Sequence, residues 1–111
     1  MNRYKLFQAG VDVNEAVERL GGDKDLYEDL LAHFKESPRY TDLKNALAAD
    51  KAADAFSLAH ALKGTAGNLS FNRLFKSMQP VVEALRAGDI VTAKKEMPAV
   101  DEAYAQVMQA I

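Results

Sequence analysis

The residues best suited to chemistry lie in one stretch, Ala59-His60-Ala61-Leu62-Lys63-Gly64-Thr65-Ala66-Gly67-Asn68-Leu69. The neutral imidazole of His60 is a competent nucleophile near pH 7. Lys63 follows three residues later and can offset negative charge on a group carried by that imidazole. Gly64 and Gly67 follow four and seven residues after His60. A nucleophile, a nearby cation and bare backbone are what a phosphoryl group in transit between two proteins requires.

The stretch belongs to a predicted helix over about residues 51–69. At about 100° per residue, its apolar residues form one stripe that must face a core. The stripe contains Ala55, Leu58, Ala59, Leu62, Ala66 and Leu69. His60 lies roughly 150° from the centre of this stripe, so it should point to solvent.

The predicted outer face around His60 contains Ala53, Phe56, Gly64 and Gly67. A solvated helix face is usually charged, whereas this one is small and apolar. Each interior glycine costs about 1 kcal/mol relative to alanine, and a glycine lets another molecule approach closely. We therefore expect these four residues to form a partner-binding surface on which Gly64 provides clearance.

Three helices are predicted before this one, of which the first is short and the third is shorter than the second. Asp12 should cap the first, which ends at Gly21-Gly22, and Asp23 should cap the second. The core stripe expected for the second is Leu26, Leu30, Leu31 and Phe34, with Tyr27 on its edge. Ser37-Pro38 should end the second helix and place proline at the first position of the third.

Two long helices are predicted after residue 69. Ser70 should cap the first of them, Gly88 should end it, and Asp89 should cap the second. Pro80 and Pro98 fall inside these helices, but the apolar stripe stays in phase across both, so kinks rather than reversals are expected. The short connections favour antiparallel neighbours. The predicted fold is an all-α, antiparallel up-down four-helix bundle with additional short N-terminal helices.

Composition predicts one domain spanning residues 1–111, with residues 1–10 packing on or near the bundle. The chain is 49% hydrophobic and 27% charged, with a net charge of −2 and no basic block, so a nucleic-acid partner is not expected. It has no cysteine, and no metal site is expected. No apolar run approaches the ~20 residues of a membrane span, and no signal-peptide pattern begins the chain. A cytoplasmic protein without membrane association is the resulting prediction.

The stretch from His60 to Leu69 resembles the phosphoacceptor helix of histidine-containing phosphotransfer (HPt) domains. The resemblance continues upstream in residues 19–31 and downstream in residues 84–89. Two positions depart from the family pattern. Ser70-Phe71 stands where a small pair, often Gly-Ala, is common, and Val82 stands where a glutamine often holds the imidazole. Gln79, one turn earlier, is the candidate for orienting His60.

The resemblance implies a phosphotransfer module of a multistep two-component phosphorelay, in which His60 exchanges a phosphoryl group with a receiver-domain aspartate. Lys63 would stabilise charge on the transferred group. The expected partners are a response-regulator receiver domain, a hybrid sensor histidine kinase, or both. No cofactor of its own is expected, since Mg²⁺ would be bound by the receiver, and no catalysis is expected without that partner.

Two other interpretations remain open. A helical adaptor or inhibitor of the same fold could bind a signalling partner without being phosphorylated, and the altered residues 70, 71 and 82 favour it. Alternatively, the apolar outer face could be only an oligomer contact that hides His60. The phosphotransfer hypothesis predicts a monomer instead.

Overall fold

The computed structural model describes all residues from 1 to 111, and they form seven helices without a β-strand. Three precede the main bundle: α1 (Arg3–Gln8), α2 (Val13–Arg19) and α3 (Lys24–Glu36). The four that follow are α4 (Arg39–Ala48), α5 (Ala52–Asn68), α6 (Asn72–Arg86) and α7 (Ile90–Ala110). The all-α prediction is confirmed.

Helices α4 to α7 form an antiparallel four-helix bundle, in which consecutive helices pack against each other. The bundle is closed by contacts between α4 and α7. The Tyr40 and Tyr104 rings stack with centroids 3.8 Å apart, and Lys44 Nζ lies 2.8 Å from Asp101 Oδ2. At the opposite end of the same pair of helices, Lys94 Nζ lies 2.7 Å from Asp50 Oδ1.

Helix α3 lies across the end of this bundle. The Tyr27 hydroxyl donates a 2.8 Å hydrogen bond to the carbonyl of Leu69, which follows α5 directly. Phe34 meets the edge of Phe71 with ring centroids 4.9 Å apart. The expected stripe of α3 is therefore wrong in part: Tyr27 is fully buried, whereas Leu26 is 41% exposed. A helix that crosses the end of a bundle buries a different face from one that lies along it.

The N-terminal segment is fastened to the turn between α5 and α6. Val11 pairs with Phe71 in an isolated antiparallel bridge. The Asp12 amide donates to the Ser70 carbonyl at 2.9 Å, and the Asn72 amide donates to the Gly10 carbonyl at 2.9 Å. Leu6 is fully buried, so α1 contributes to the same core as the bundle.

Most of the expected helix starts are confirmed by cap hydrogen bonds. The Asp12, Asp23 and Asp89 carboxylates accept from the amides of Glu15, Leu26 and Thr92 respectively, each at 3.0 Å. Pro38 directly precedes α4 instead of being its first residue. Pro80 and Pro98 lie inside α6 and α7, and both helices continue through them.

Ser70 does not cap α6, so that expectation is wrong. It is fully buried in a left-handed conformation with φ of 56°, and Phe71 occupies the cap position. The Ser70 hydroxyl donates to Glu15 at 2.7 Å and accepts from Arg19 at 3.2 Å. A left-handed conformation favours glycine, which is the residue that the resemblance leads one to expect at this position.

Candidate functional site

Helix α5 fixes where His60 points. The stripe residues Ala55, Ala59, Leu62, Ala66 and Leu69 are buried, and Leu58 is half-buried. His60 is on the opposite face and is exposed, as the helical spacing predicts. The C-terminal end of α5 is held by Arg19, which donates to the carbonyls of Gly67 at 3.2 Å and Asn68 at 2.7 Å.

The imidazole of His60 has a ring neighbour but no hydrogen-bond partner within the protein. The ring of Phe56, one turn earlier, lies 5.8 Å away at an interplanar angle of 35°. None of the five main clefts of the surface includes His60. The exposed imidazole is therefore accessible to another molecule.

Two cations in this region each lie over an aromatic ring. Lys63 Nζ lies 5.3 Å from the centroid of Phe75, and the Arg86 guanidinium lies 5.2 Å from the centroid of Phe56. The sequence interpretation placed Lys63 and Phe56 near His60 but missed Phe75 and Arg86. In an antiparallel pair of helices, residues equally distant from the connecting turn lie side by side, and this rule could have found both.

The two outer-face glycines have different surroundings. A Cβ atom added at Gly64 would meet nothing within 4 Å, so the backbone there is open to solvent. A Cβ atom at Gly67 would lie 3.2 Å from Cδ2 and Cε2 of Phe75. The space beside Gly64 is therefore open, whereas the space beside Gly67 is occupied by a ring of this chain.

The remaining predicted positions differ in exposure. Ala53 is exposed two turns before His60, and Phe56 is half-buried. On α6, Gln79 is exposed and makes no hydrogen bond, while Val82 is fully buried. The orienting role of Gln79 stays a prediction.

Several groups of the framework have displaced pKa values. Burial, reinforced by the charge of Asp12, raises the pKa of the Tyr27 phenol. Burial and the bond to Asp101 raise the pKa of Tyr40. Hydrogen bonds from Thr92 lower the pKa of Asp89, as expected for a carboxylate that caps a helix. No group of three or more histidine, cysteine or acidic side chains is placed to hold a metal ion.

Comparison with known families agrees with this geometry. A family model described as "Hpt domain" matches residues 25–110, which is 86 of the 111 residues. The chain belongs to the Hpt domain family. Neither a curated protein nor a solved structure gives a match to it.

Hpt domains serve histidine phosphotransfer in two-component phosphorelays and interact with receiver domains and kinases. The matched segment includes α4 to α7 and therefore the whole surface around His60. It starts within α3, so α1 and α2 lie outside the matched part of this Hpt domain. No helix of the protein combines the length and the apolar character needed to cross a membrane.

Proposed function

We propose that this Hpt domain carries a phosphoryl group on His60 and exchanges it with the aspartate of a receiver domain. The observation that supports this most directly is that the His60 imidazole is exposed and has no hydrogen-bond partner in the protein. One turn later, a Cβ atom added at Gly64 would have nothing within 4 Å. The opposite face of α5 packs in the core. An imidazole presented in this way is available to a partner's active site.

The proposed step is an in-line displacement at phosphorus. A lone pair of the imidazole, at Nε2 because it projects furthest, attacks the phosphorus of the receiver's aspartyl phosphate. The nitrogen–phosphorus bond forms as the bond from phosphorus to the aspartate oxygen breaks, and the carboxylate leaves with that electron pair. Catalysis of this kind consists mainly of positioning and charge stabilisation. The receiver supplies Mg²⁺, Lys63 supplies a cation, and the step is reversible because phosphohistidine is itself a high-energy donor.

The partner surface proposed here consists of Ala53, Phe56 and Gly64 around His60. Ala53 and Gly64 are exposed, and Phe56 presents a half-buried ring next to the imidazole. Exposed small and apolar groups of this kind are typical of interaction sites on small proteins. The partner is a receiver domain of a response regulator or of a hybrid sensor histidine kinase, and we expect the Hpt domain to meet it as a cytoplasmic monomer.

The decisive experiment mixes the protein with a panel of phosphorylated receiver domains and Mg²⁺, using wild type and His60→Gln in parallel. Acid-labile phosphate should form on the wild type alone. Because His60 is exposed and makes no hydrogen bond within the protein, the variant should keep the helix content and melting temperature of the wild type. Label on the variant, or loss of its fold, would contradict the assignment.

A phosphorylation-independent adaptor is the second candidate. The observation in its favour is the fully buried Val82, which leaves α6 without a polar side chain at the position where related domains often orient the acceptor. If the protein is an adaptor, the wild type and the His60→Gln variant should bind a receiver with the same affinity. Neither of the two should take up label. An oligomer that hides His60 would instead elute as a dimer from a sizing column.

A further inference from the structure

We propose that Phe75 is a positioning residue for Lys63, and that Gly67 lacks a side chain in order to admit the Phe75 ring. The inference rests on the proposed function, because it assigns to Lys63 a role in phosphotransfer. It adds an aromatic side chain from α6 to a site for which only Gln79 had been expected from that helix.

The first observation concerns the surroundings of the Lys63 ammonium. Nζ lies 5.3 Å from the centroid of the Phe75 ring, within the range at which a cation is attracted to an aromatic face. No carboxylate is within ion-pairing distance of Lys63, although the chain has 16 acidic residues. The ring thus gives the ammonium a neighbour that neutralises none of its charge.

The second observation is independent of the first and concerns the space that the ring fills. Phe75 is half-buried between α5 and α6, and two of its carbons would lie only 3.2 Å from a Cβ atom at Gly67. An alanine there would force the ring to move by a few tenths of an ångström. Gly64, on the same face of α5, faces no such neighbour.

Together these contacts restrict a flexible side chain. A lysine side chain has four rotatable bonds, and an exposed one ordinarily samples many rotamers. A cation–π contact at an exposed site favours the contacted rotamers by a factor of about two to five. An ammonium that is already held beside His60, with no carboxylate paired to it, loses less conformational entropy when it stabilises the charge of the transferred phosphoryl group.

The test uses Phe75→Leu, which removes the aromatic face but keeps apolar bulk, and Phe75→Tyr, which keeps the face. In wild type and Phe75→Tyr, the Lys63 ε-methylene protons should show an upfield ring-current shift by NMR, and Phe75→Leu should abolish it. With saturating phosphorylated receiver, Phe75→Leu should slow transfer to His60 about two- to five-fold, while receiver affinity stays unchanged and Phe75→Tyr restores the rate.

A double substitution shows whether Phe75 acts through Lys63. In a Lys63→Ala background, Phe75→Leu should produce no further slowing. Gly67→Ala, which displaces the ring, should weaken the ring-current shift and slow transfer to a smaller extent than Phe75→Leu. Equal slowing by Phe75→Leu with and without Lys63 would overturn the inference, because the ring would then act on docking.

A faster rate in Phe75→Leu would also overturn it, since the ring would then hold Lys63 away from the reaction. An absent ring-current shift in the wild type would do the same. These outcomes differ from failure of the proposed function. If wild type takes up no phosphate, the function is wrong whatever the NMR result. If wild type takes up phosphate and Phe75→Leu takes it up at the same rate, only the inference about Phe75 is wrong.

Discussion

Gly64 offers a prediction in which stability and activity change in opposite directions. It lies inside α5, and a Cβ atom added to it would meet nothing within 4 Å. Replacing glycine by alanine in an open helix interior stabilises a protein by about 1 kcal/mol. For a domain of this size, that gain raises the melting temperature by about 4 °C. We therefore expect Gly64→Ala to be more stable than wild type.

The same position borders His60, so added bulk should obstruct a docking receiver. Misplacement of reacting groups by about 1 Å can cost on the order of 100-fold in rate, and a leucine side chain extends further than that. Gly64→Leu should thus lose nearly all transfer from a phosphorylated receiver, with Gly64→Ala intermediate, while both variants remain folded. Thermal unfolding followed by circular dichroism and single-turnover transfer assays measure the two effects separately.

Gly67→Ala provides the matched comparison, because it makes the same chemical change one turn further along the helix. Its Cβ atom would lie 3.2 Å from the Phe75 ring, so repulsion should offset part of the helix gain. Gly67→Ala should therefore be less stable than Gly64→Ala. Wild-type transfer by Gly64→Leu would refute the clearance argument, and a destabilised Gly64→Ala would show that its surroundings are not open.

Two further predictions concern charge and burial. Lys63→Ala should slow transfer about tenfold or more, as expected for loss of a contact to a charged group. Receiver affinity and melting temperature should not change, and an unchanged single-turnover rate would show that Lys63 has no role in transfer. Tyr27→Phe should cost about 1–3 kcal/mol in urea unfolding at pH 7, because the Leu69 carbonyl loses its buried donor. Since the folded-state pKa of Tyr27 is raised above its ordinary value of 10.0, the wild type should lose stability as pH rises above that value. The difference in unfolding free energy between wild type and Tyr27→Phe should therefore narrow in alkaline solution. A constant difference would show that Tyr27 ionises equally in the folded and unfolded states.

Helices α2 to α7 and the exposure of His60 could be predicted because they depend on local pattern, whereas α1 was not predicted as a helix. The period of α5 placed its apolar residues on one buried face and His60 on the other. Aspartates before α2, α3 and α7 marked helix starts because an N-cap carboxylate accepts from amides three residues away, a contact within one turn. Such signals need no knowledge of the rest of the fold.

What the sequence did not predict depends on contacts between distant segments. Ser70 has the side chain of a helix cap, but its partners Glu15 and Arg19 belong to α2, more than fifty residues earlier. Leu26 has the spacing of a core residue, but the face of α3 that is buried is set by its contacts with Leu69 and Phe71 in distant segments. The difference between Gly64 and Gly67 likewise appears only when Phe75 on α6 is in place.

The attachment of α1 and α2 to the turn after α5 bears on how the domain can be divided. Six of the 30 buried core residues lie before residue 25, where the family match begins: Leu6, Ala9, Val11, Val13, Ala16 and Val17. A fragment cut at that boundary would keep His60, yet it would lose the Arg19 bonds that end α5 and uncover the apolar surface around Phe71. The smallest unit that presents His60 on a helix with a bonded C-terminal end is therefore larger than the segment that the family model matches.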